Sequence, residues 1–269
     1  MTNMLTFATA TPQGHGLGWK KDRPDSRDHE FASLGVASPV LPTSHDLTSS
    51  IYVPIFDQGP VGSCTSNMAS YLDVYARVKE HLYDTYVKAG GASRLGIYYY
   101  TRLGEGTPNV DAGASIRDAI KTMNSYGACS EANWPYNLNN IFVQPSAWST
   151  ANMSHHKALR YYAVGQDAAQ IMGTIASGFP IGYGTVVFPS FEATDASGIV
   201  ADPDPSREAP IGGHALSAVG YRSINNRLYA KVRNSWGDGW GDKGYCYISF
   251  DYLLNTQLCF DFWVVKAVA

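Results

Sequence analysis

The stretch Asp57-Gln-Gly-Pro-Val-Gly-Ser-Cys-Thr65 sets two glycines and a proline ahead of a cysteine. From Ser63 onward the run SCTSNMASYLDVYARVKEHLYDTYVK places Met68, Leu72, Tyr75, Val78 and Leu82 at spacings of three and four. That spacing predicts an amphipathic helix of several turns with Ser63 as its N-cap. Cys64 is then either a small apolar filler or a thiolate at the positive end of a helix. A helix terminus stabilises an anion by about 0.3 to 2 kcal/mol. Bringing a thiol from about 8.5 to near 4 takes roughly 6 kcal/mol. A reactive thiol here therefore needs a cationic partner elsewhere in the chain.

Nucleophilic catalysis needs a base for the thiol, a group that orients the base, and donors for the oxyanion. Of seven histidines, His214 in Ile-Gly-Gly-His-Ala-Leu-Ser-Ala-Val-Gly-Tyr is the best placed, at the glycine-rich mouth of an expected strand. Asn234 closes the next strand, in Arg-Asn-Ser-Trp-Gly, and a hairpin turn at Asn225-Asn226 brings it beside the start of the His214 strand. Its carbonyl oxygen can accept from one imidazole nitrogen and leave the other for the thiolate. Gln58, on the loop before Cys64, can aim its amide at the same point as the Cys64 N–H.

Helical signals dominate the first half of the chain, with further segments at Ala114–Tyr126, ended by Gly127, and at Asp167–Ala176. After about residue 178 the segments are short, β-branched or aromatic, and bounded by Gly, Pro and Asn, as strands are. In RLYAKVRN, Leu228, Ala230 and Val232 alternate with Tyr229, Lys231 and Arg233, as in a half-buried strand. The expected organisation is an N-terminal arm or short prosegment over 1–39, a mainly helical lobe over 40–145 carrying the nucleophile, and a mainly β lobe over 146–269 carrying His214 and Asn234. A cleft between the lobes is the natural site. Twenty Lys and Arg stand against 23 Asp and Glu, a net charge of −3 with no long run of either sign, so nucleic acid and anionic membranes are not expected partners. No stretch suits a membrane span, and the start of the chain does not read as a secretory signal, so a cytoplasmic location or signal-independent export is expected. The four cysteines form no CxxC or zinc pattern, and neither metal nor cofactor is expected.

DQGPVGSC, GGHALSAVGY and KVRNSWGDGWGDKGYCYI, in that order, resemble the cysteine, histidine and asparagine boxes of the papain family of cysteine proteases. LPTSHDLTSSIYVPIFDQG resembles the family's mature start, and GACSEANWPY a further family segment. By subtraction His214 follows Cys64 by 150 residues and Asn234 by 170, near the papain spacing of about 130 to 150. The resemblance implies an α+β, papain-like two-lobed fold, with an N-terminal helical lobe, a C-terminal antiparallel β-barrel-like lobe and the active-site cleft between them. It implies Cys64 as nucleophile, His214 as acid and base, Asn234 as orienter, Gln58 in the oxyanion hole, and Trp236 shielding the His214–Asn234 hydrogen bond. The S2 subsite, and with it substrate binding, is expected in part at Gly113, Ala114, Ser115 and Gly213. The implied activity is a thiol protease acting on peptide or protein substrates through an acyl-enzyme, as a monomer, with the arm a candidate occupant of the cleft that would make the chain a zymogen.

This sequence departs from the family at Val61, where the family has a cysteine, at Asp111-Ala-Gly-Ala-Ser115, which stands for its GCNGG segment, and at Thr65, where it has an aromatic. Both halves of one family disulfide are thus absent, as in a divergent member of prokaryotic or viral type. Alternative functions are an inactive papain-like binding protein and a thiol acyl transferase. Cys129, Cys246 and Cys259 read as structural, His155-His156 as surface, and GDGWGDKG as a turn-rich surface segment. Ser190–Pro210 has no clear family counterpart and is a candidate to overhang the cleft.

Overall fold

The computed structural model describes residues 10–34 and 41–268; the expected boundary at 39/40 lies outside them. Among the described residues the helices are α1 (Cys64–Lys79), α2 (Thr85–Lys88), α3 (Arg94–Gly104), α4 (Ile116–Ser125), α5 (Ala147–Thr150), α6 (Ala168–Ala176), α7 (Pro189–Glu192) and α8 (Phe250–Leu253). The strands are β1 (Trp19–Lys20), β2 (His45–Asp46), β3 (Ala114–Ser115), β4 (Ala158–Ala163), β5 (Ile181–Val187), β6 (Gly212–Ile224), β7 (Arg227–Arg233), β8 (Tyr245–Ser249) and β9 (Cys259–Val268). The architecture is α+β. A seven-stranded antiparallel sheet runs β4-β9-β5-β6-β7-β8, with β2 paired to β6.

The nucleophile's helix differs from its expected pattern in an instructive way. It is not one-sided: every residue from Cys64 to Arg77 is buried, because α1 lies between the sheet, against β6 and β9, and the helices α3 and α4. A helix apolar on one face only would not need polar partners inside, and this one has them: Asp73 and Arg77 form a wholly buried ion pair at 2.9 Å. The helix stops at Lys79, and Leu82 stands outside it, exposed. Ser63 occupies the position before the helix without capping it. Its hydroxyl is taken by Tyr136 at 2.5 Å and by the Asn67 amide at 3.1 Å.

The β6–β7 hairpin forms as its turn residues require. Asn225 and Asn226 both adopt positive φ, 50° and 62°, the pair of left-handed residues that a two-residue turn matched to strand twist demands. Along β7 the alternation fails at one place. Arg233 is buried, donating to the Val53 and Pro54 carbonyls and lying over the Phe56 and Tyr71 rings, so a charge at a strand end ties the segment before Cys64 to the sheet. All four cysteines are free and buried. No helix among the described residues is long and apolar enough to cross a membrane.

Candidate active site

The loop before α1 and the ends of β6 and β7 converge. His214 sits near the start of β6 and is wholly buried. Its Nε2 lies 2.7 Å from Asn234 Oδ1, which also accepts from the Ser235 N–H at 2.7 Å. That leaves His214 Nδ1 buried with no partner. Trp236 lies beside this pair, its ring centroid 4.7 Å from that of His214. The Gln58 side chain is fixed at both ends: Ser235 Oγ donates to its Oε1 at 2.6 Å, and its Nε2 donates to the Val61 carbonyl at 2.8 Å. The Cys64 sulfur lies within hydrogen-bond reach of the Ala215 N–H, next to His214 in the chain, so the structure brings Cys64, His214, Asn234, Gln58 and Trp236 into one site.

The arm runs through that site. Gln58 Nε2 also donates to the Gly16 carbonyl at 3.1 Å. Gly18 N–H donates to the Gly213 carbonyl at 3.1 Å, and the Gly18 carbonyl accepts from Ala114 N–H at 2.8 Å. Trp19 and Lys20 then pair in parallel with Ala114 and Ser115. The four residues expected to bind substrate thus all border the arm: Gly113 approaches the Gly18 carbonyl so closely that a Cβ there would collide with it, and its φ of 69° also favours glycine.

Burial under the arm sets the protonation of the pair. The Cys64 thiol is pushed up to about 11 by desolvation, against the pull of the Ala215, Gly18, Thr65 and Cys64 backbone N–H groups. His214 falls to about 4, again first through desolvation, with the bond to Asn234 opposing and the charge of His15 assisting. With the arm docked, burial disfavours the charged form of both groups.

Several residues at the site carried no recognised sequence signal. Trp240, in the segment expected to be surface, is buried among Trp236 and Phe191, and its Nε1 donates to the Glu192 carbonyl at 3.1 Å. His15 of the arm stacks on Trp236 at 4.6 Å, and Gln13 N–H donates to Glu192 Oε1 at 3.0 Å, so the beginning of the 190–210 segment borders the arm. His156 is half-buried against Tyr86, 3.9 Å between ring centroids, where a plain surface position was expected. In place of the family disulfide, Asp111 accepts from the Gly62 N–H at 3.1 and 3.2 Å and from Tyr98 Oη. A carboxylate therefore ties together the two segments that the missing sulfurs would have joined.

A second buried group holds the arm down. Asp22 accepts from Trp263 Nε1 at 2.7 Å and from Arg117 N–H at 3.1 Å. Its carboxyl is raised from an ordinary 3.8 to about 7, first by burial and then by the charge of Asp261, while those hydrogen bonds and the Arg117 charge oppose the rise. A raised value means that the docked arm holds a proton the free arm has lost. This carboxyl's contribution to docking is therefore full below about pH 4 and is lost as pH rises through about 7, while His214, lowered to about 4, contributes in the opposite direction. Amide exchange of residues 16–22, corrected for the intrinsic pH dependence, is expected to show that the opening equilibrium of the wild type, relative to that of Asp22→Asn, grows at least about tenfold from pH 4.5 to pH 7, the His214 contribution being common to both. Identical profiles for the two proteins would rule the latch out.

The site and fold agree with the comparisons. The sequence model described as papain family cysteine protease matches residues 109–258. An uncharacterized peptidase C1-like protein of Acanthamoeba polyphaga mimivirus is 33% identical over 94% of this chain and 87% of its own length. Among solved structures, xylellain, a cysteine protease from Xylella fastidiosa, superposes with a TM-score of 0.85 at 31% identity, covering 95% of this chain and 97% of its own. Procathepsin B of Trypanosoma congolense shares the fold, with a TM-score of 0.70 at 18% identity over 88% and 80% of the two chains. The chain belongs to the papain family of cysteine proteases. It is a divergent member of prokaryotic or viral type and a hydrolase.

Proposed function

We propose that the protein cleaves peptide bonds in peptide or protein substrates through Cys64, with the arm restraining the site until it is displaced. His214 Nδ1 takes the thiol proton, and sulfur attacks the scissile carbonyl carbon. The oxyanion is met by Gln58 Nε2 and the Cys64 N–H, and His214 returns the proton to the leaving amine. Water, deprotonated by His214, then hydrolyses the thioester and frees the thiol. Asn234 holds the imidazole by its Nε2, and Trp236 covers that bond. The substrate backbone lies along Gly113, Ala114, Ser115 and Gly213, in a cleft between a lobe over 40–145 and a lobe over 146–269.

One observation carries this reading: the arm already presents a peptide carbonyl, that of Gly16, to Gln58 Nε2, while Gly18 bridges Gly213 and Ala114. The cleft therefore binds extended polypeptide through backbone groups. The parallel pairing of Trp19 with Ala114 sets the arm's chain direction. The glycines at 16 and 18 fit close under the Val61 and Gly62 carbonyls.

The test is an epoxide that labels activated thiolates, applied to full-length protein and its Cys64→Ala variant after arm displacement, alongside a peptide-library digest. Labelling and cleavage that both vanish with Cys64→Ala are expected. Labelling without cleavage would favour the inactive binding protein, and transfer of an acyl group to an added amine in place of hydrolysis the acyl transferase. Gln58→Ala is expected to lower kcat by roughly 100- to 1,000-fold with little change in KM. A loss seen only in KM would remove Gln58 from the oxyanion site.

A further inference from the structure

The loop from Gln58 to Cys64 is closed on itself by a chain of hydrogen bonds, and that chain can run in one direction only. Its two ends are set by chemistry: the Gln58 carbonyl can only accept, and the Asn67 amide nitrogen can only donate. Tyr136 Oη gives its single proton to the Gln58 carbonyl at 2.9 Å. In the 2.5 Å contact between Tyr136 Oη and Ser63 Oγ, Ser63 must then be the donor. Ser63 Oγ in turn accepts from Asn67 Nδ2 at 3.1 Å, one turn into α1. Bonds aligned head to tail in this way polarise and strengthen one another. Burial pushes the Tyr136 phenol up to about 12, against the Ser63 hydrogen bond and the Arg94 charge, so the phenol keeps its proton for Gln58 at neutral pH.

Gln58, Ser63 and Asn67 lie within ten residues of one another. Tyr136 comes from elsewhere in the chain and is held from behind. Its N–H donates to Glu131 Oε1 at 2.8 Å, and Glu131 pairs with Arg94 at 2.9 Å. The Arg94 guanidinium, at the start of α3, lies 4.2 Å over the Tyr136 ring and 4.6 Å over the Phe56 ring. That ring packs against the cluster of Val61, Leu95, Tyr98 and Ala114, a task phenylalanine would do as well. The hydroxyl has a separate task, because both of its hydrogen bonds go to the loop. It grips Gln58, whose side chain is one oxyanion donor, and Ser63, whose next neighbour supplies the other through the Cys64 N–H.

Resting on the protease reading above, we propose that Tyr136 is a positioning residue for the oxyanion hole, its hydroxyl fixing the Gln58 amide and the Cys64 N–H relative to each other without touching substrate. The test uses full-length Gly18→Ala protein, in which a Cβ meets the Gly62 carbonyl and the arm lifts. Adding Tyr136→Phe is expected to lower kcat by about 30-fold with KM within about twofold, since a misplacement of about an ångström costs up to about 100-fold. On top of Gln58→Ala the same change is expected to cost less than about threefold, because one of the two donors it positions is already gone. A full 30-fold loss on top of Gln58→Ala, or a change in KM in place of kcat, overturns the proposal.

A second readout needs no turnover. The Cys64 sulfur adds to the carbonyl carbon of a peptide aldehyde, forming a C–S bond and leaving a tetrahedral carbon whose oxygen, protonated in the adduct, faces the oxyanion donors. Iodoacetamide alkylates the same sulfur with loss of iodide and needs no such donor. Tyr136→Phe is expected to weaken the aldehyde about tenfold and to leave the alkylation rate within about twofold. Losses in both would show that the hydroxyl serves the fold, and no change in either that it does not set the donors; each overturns the proposal. Arm-lifted protein that binds the aldehyde but cleaves no peptide would instead bring down the protease reading, with Tyr136 still judged by the aldehyde.

Discussion

Full-length Gly18→Ala protein will be alkylated at Cys64 by iodoacetamide at pH 7 on the order of 100-fold faster than wild type. A Cβ at residue 18 meets the Gly62 carbonyl, a backbone atom at the head of the nucleophile's helix that has no rotamer with which to yield, so the arm must lift. With the thiol at about 11, roughly one molecule in 10,000 carries a thiolate at pH 7, against a few per cent at an ordinary value of about 8.5. That gain is about 300-fold, and the lower intrinsic nucleophilicity of a less basic sulfur takes back roughly tenfold of it. Exposure of a sulfur that is fully covered in the docked state adds the remainder. The other three cysteines are buried in the core, so Cys64→Ala serves as the blank. Rates within about threefold of each other would mean that the arm does not govern the thiol.

Asp73→Ala is expected to cost about 3 to 5 kcal/mol of stability, lowering the melting temperature on the order of 10 °C. The cause is the charge left behind. Asp73 and Arg77 are 2% and 1% exposed, and Arg77 Nη2 already lacks a partner. Removing the carboxylate strands the whole guanidinium inside, next to the Tyr86 ring. Removing both charges together, as Asp73→Leu with Arg77→Met, should restore most of the loss, because an apolar pair needs no desolvated charge to be matched. Calorimetry of the three proteins decides: a single variant melting within about 2 °C of wild type would show that water or another group satisfies Arg77.

The parts legible in the sequence are those fixed by local chemistry. The loop before Cys64, the asparagine turn after β6 and the glycines around His214 each have one good backbone solution, and the site follows from their order. Arg233 and Trp240 were illegible for a common reason. Each sits where alternation or turn composition predicts a surface, and each is decided by a partner at least 40 residues away in the chain, Val53 and Glu192. The all-round burial of α1 was hidden in the same way, since its polar side chains meet Ala92, Arg94 and Tyr86 rather than water. The arm was recognised as a segment, but its seat depends on backbone carbonyls and N–H groups, which every sequence has alike.

The arm and the residues it covers belong to one chain, and only six residues separate Leu34 from Leu41. Under the proposed restraint, inhibition is a unimolecular equilibrium: dilution cannot activate the enzyme, and an incoming substrate competes with an effective concentration in the millimolar range, as short tethers give. A single cut in that tether changes the order of the reaction. The same contacts at Gly16, Gly18 and Trp19 would then have to hold a free peptide at its actual concentration, so one cleavage converts a concentration-independent lock into an inhibitor that washes away.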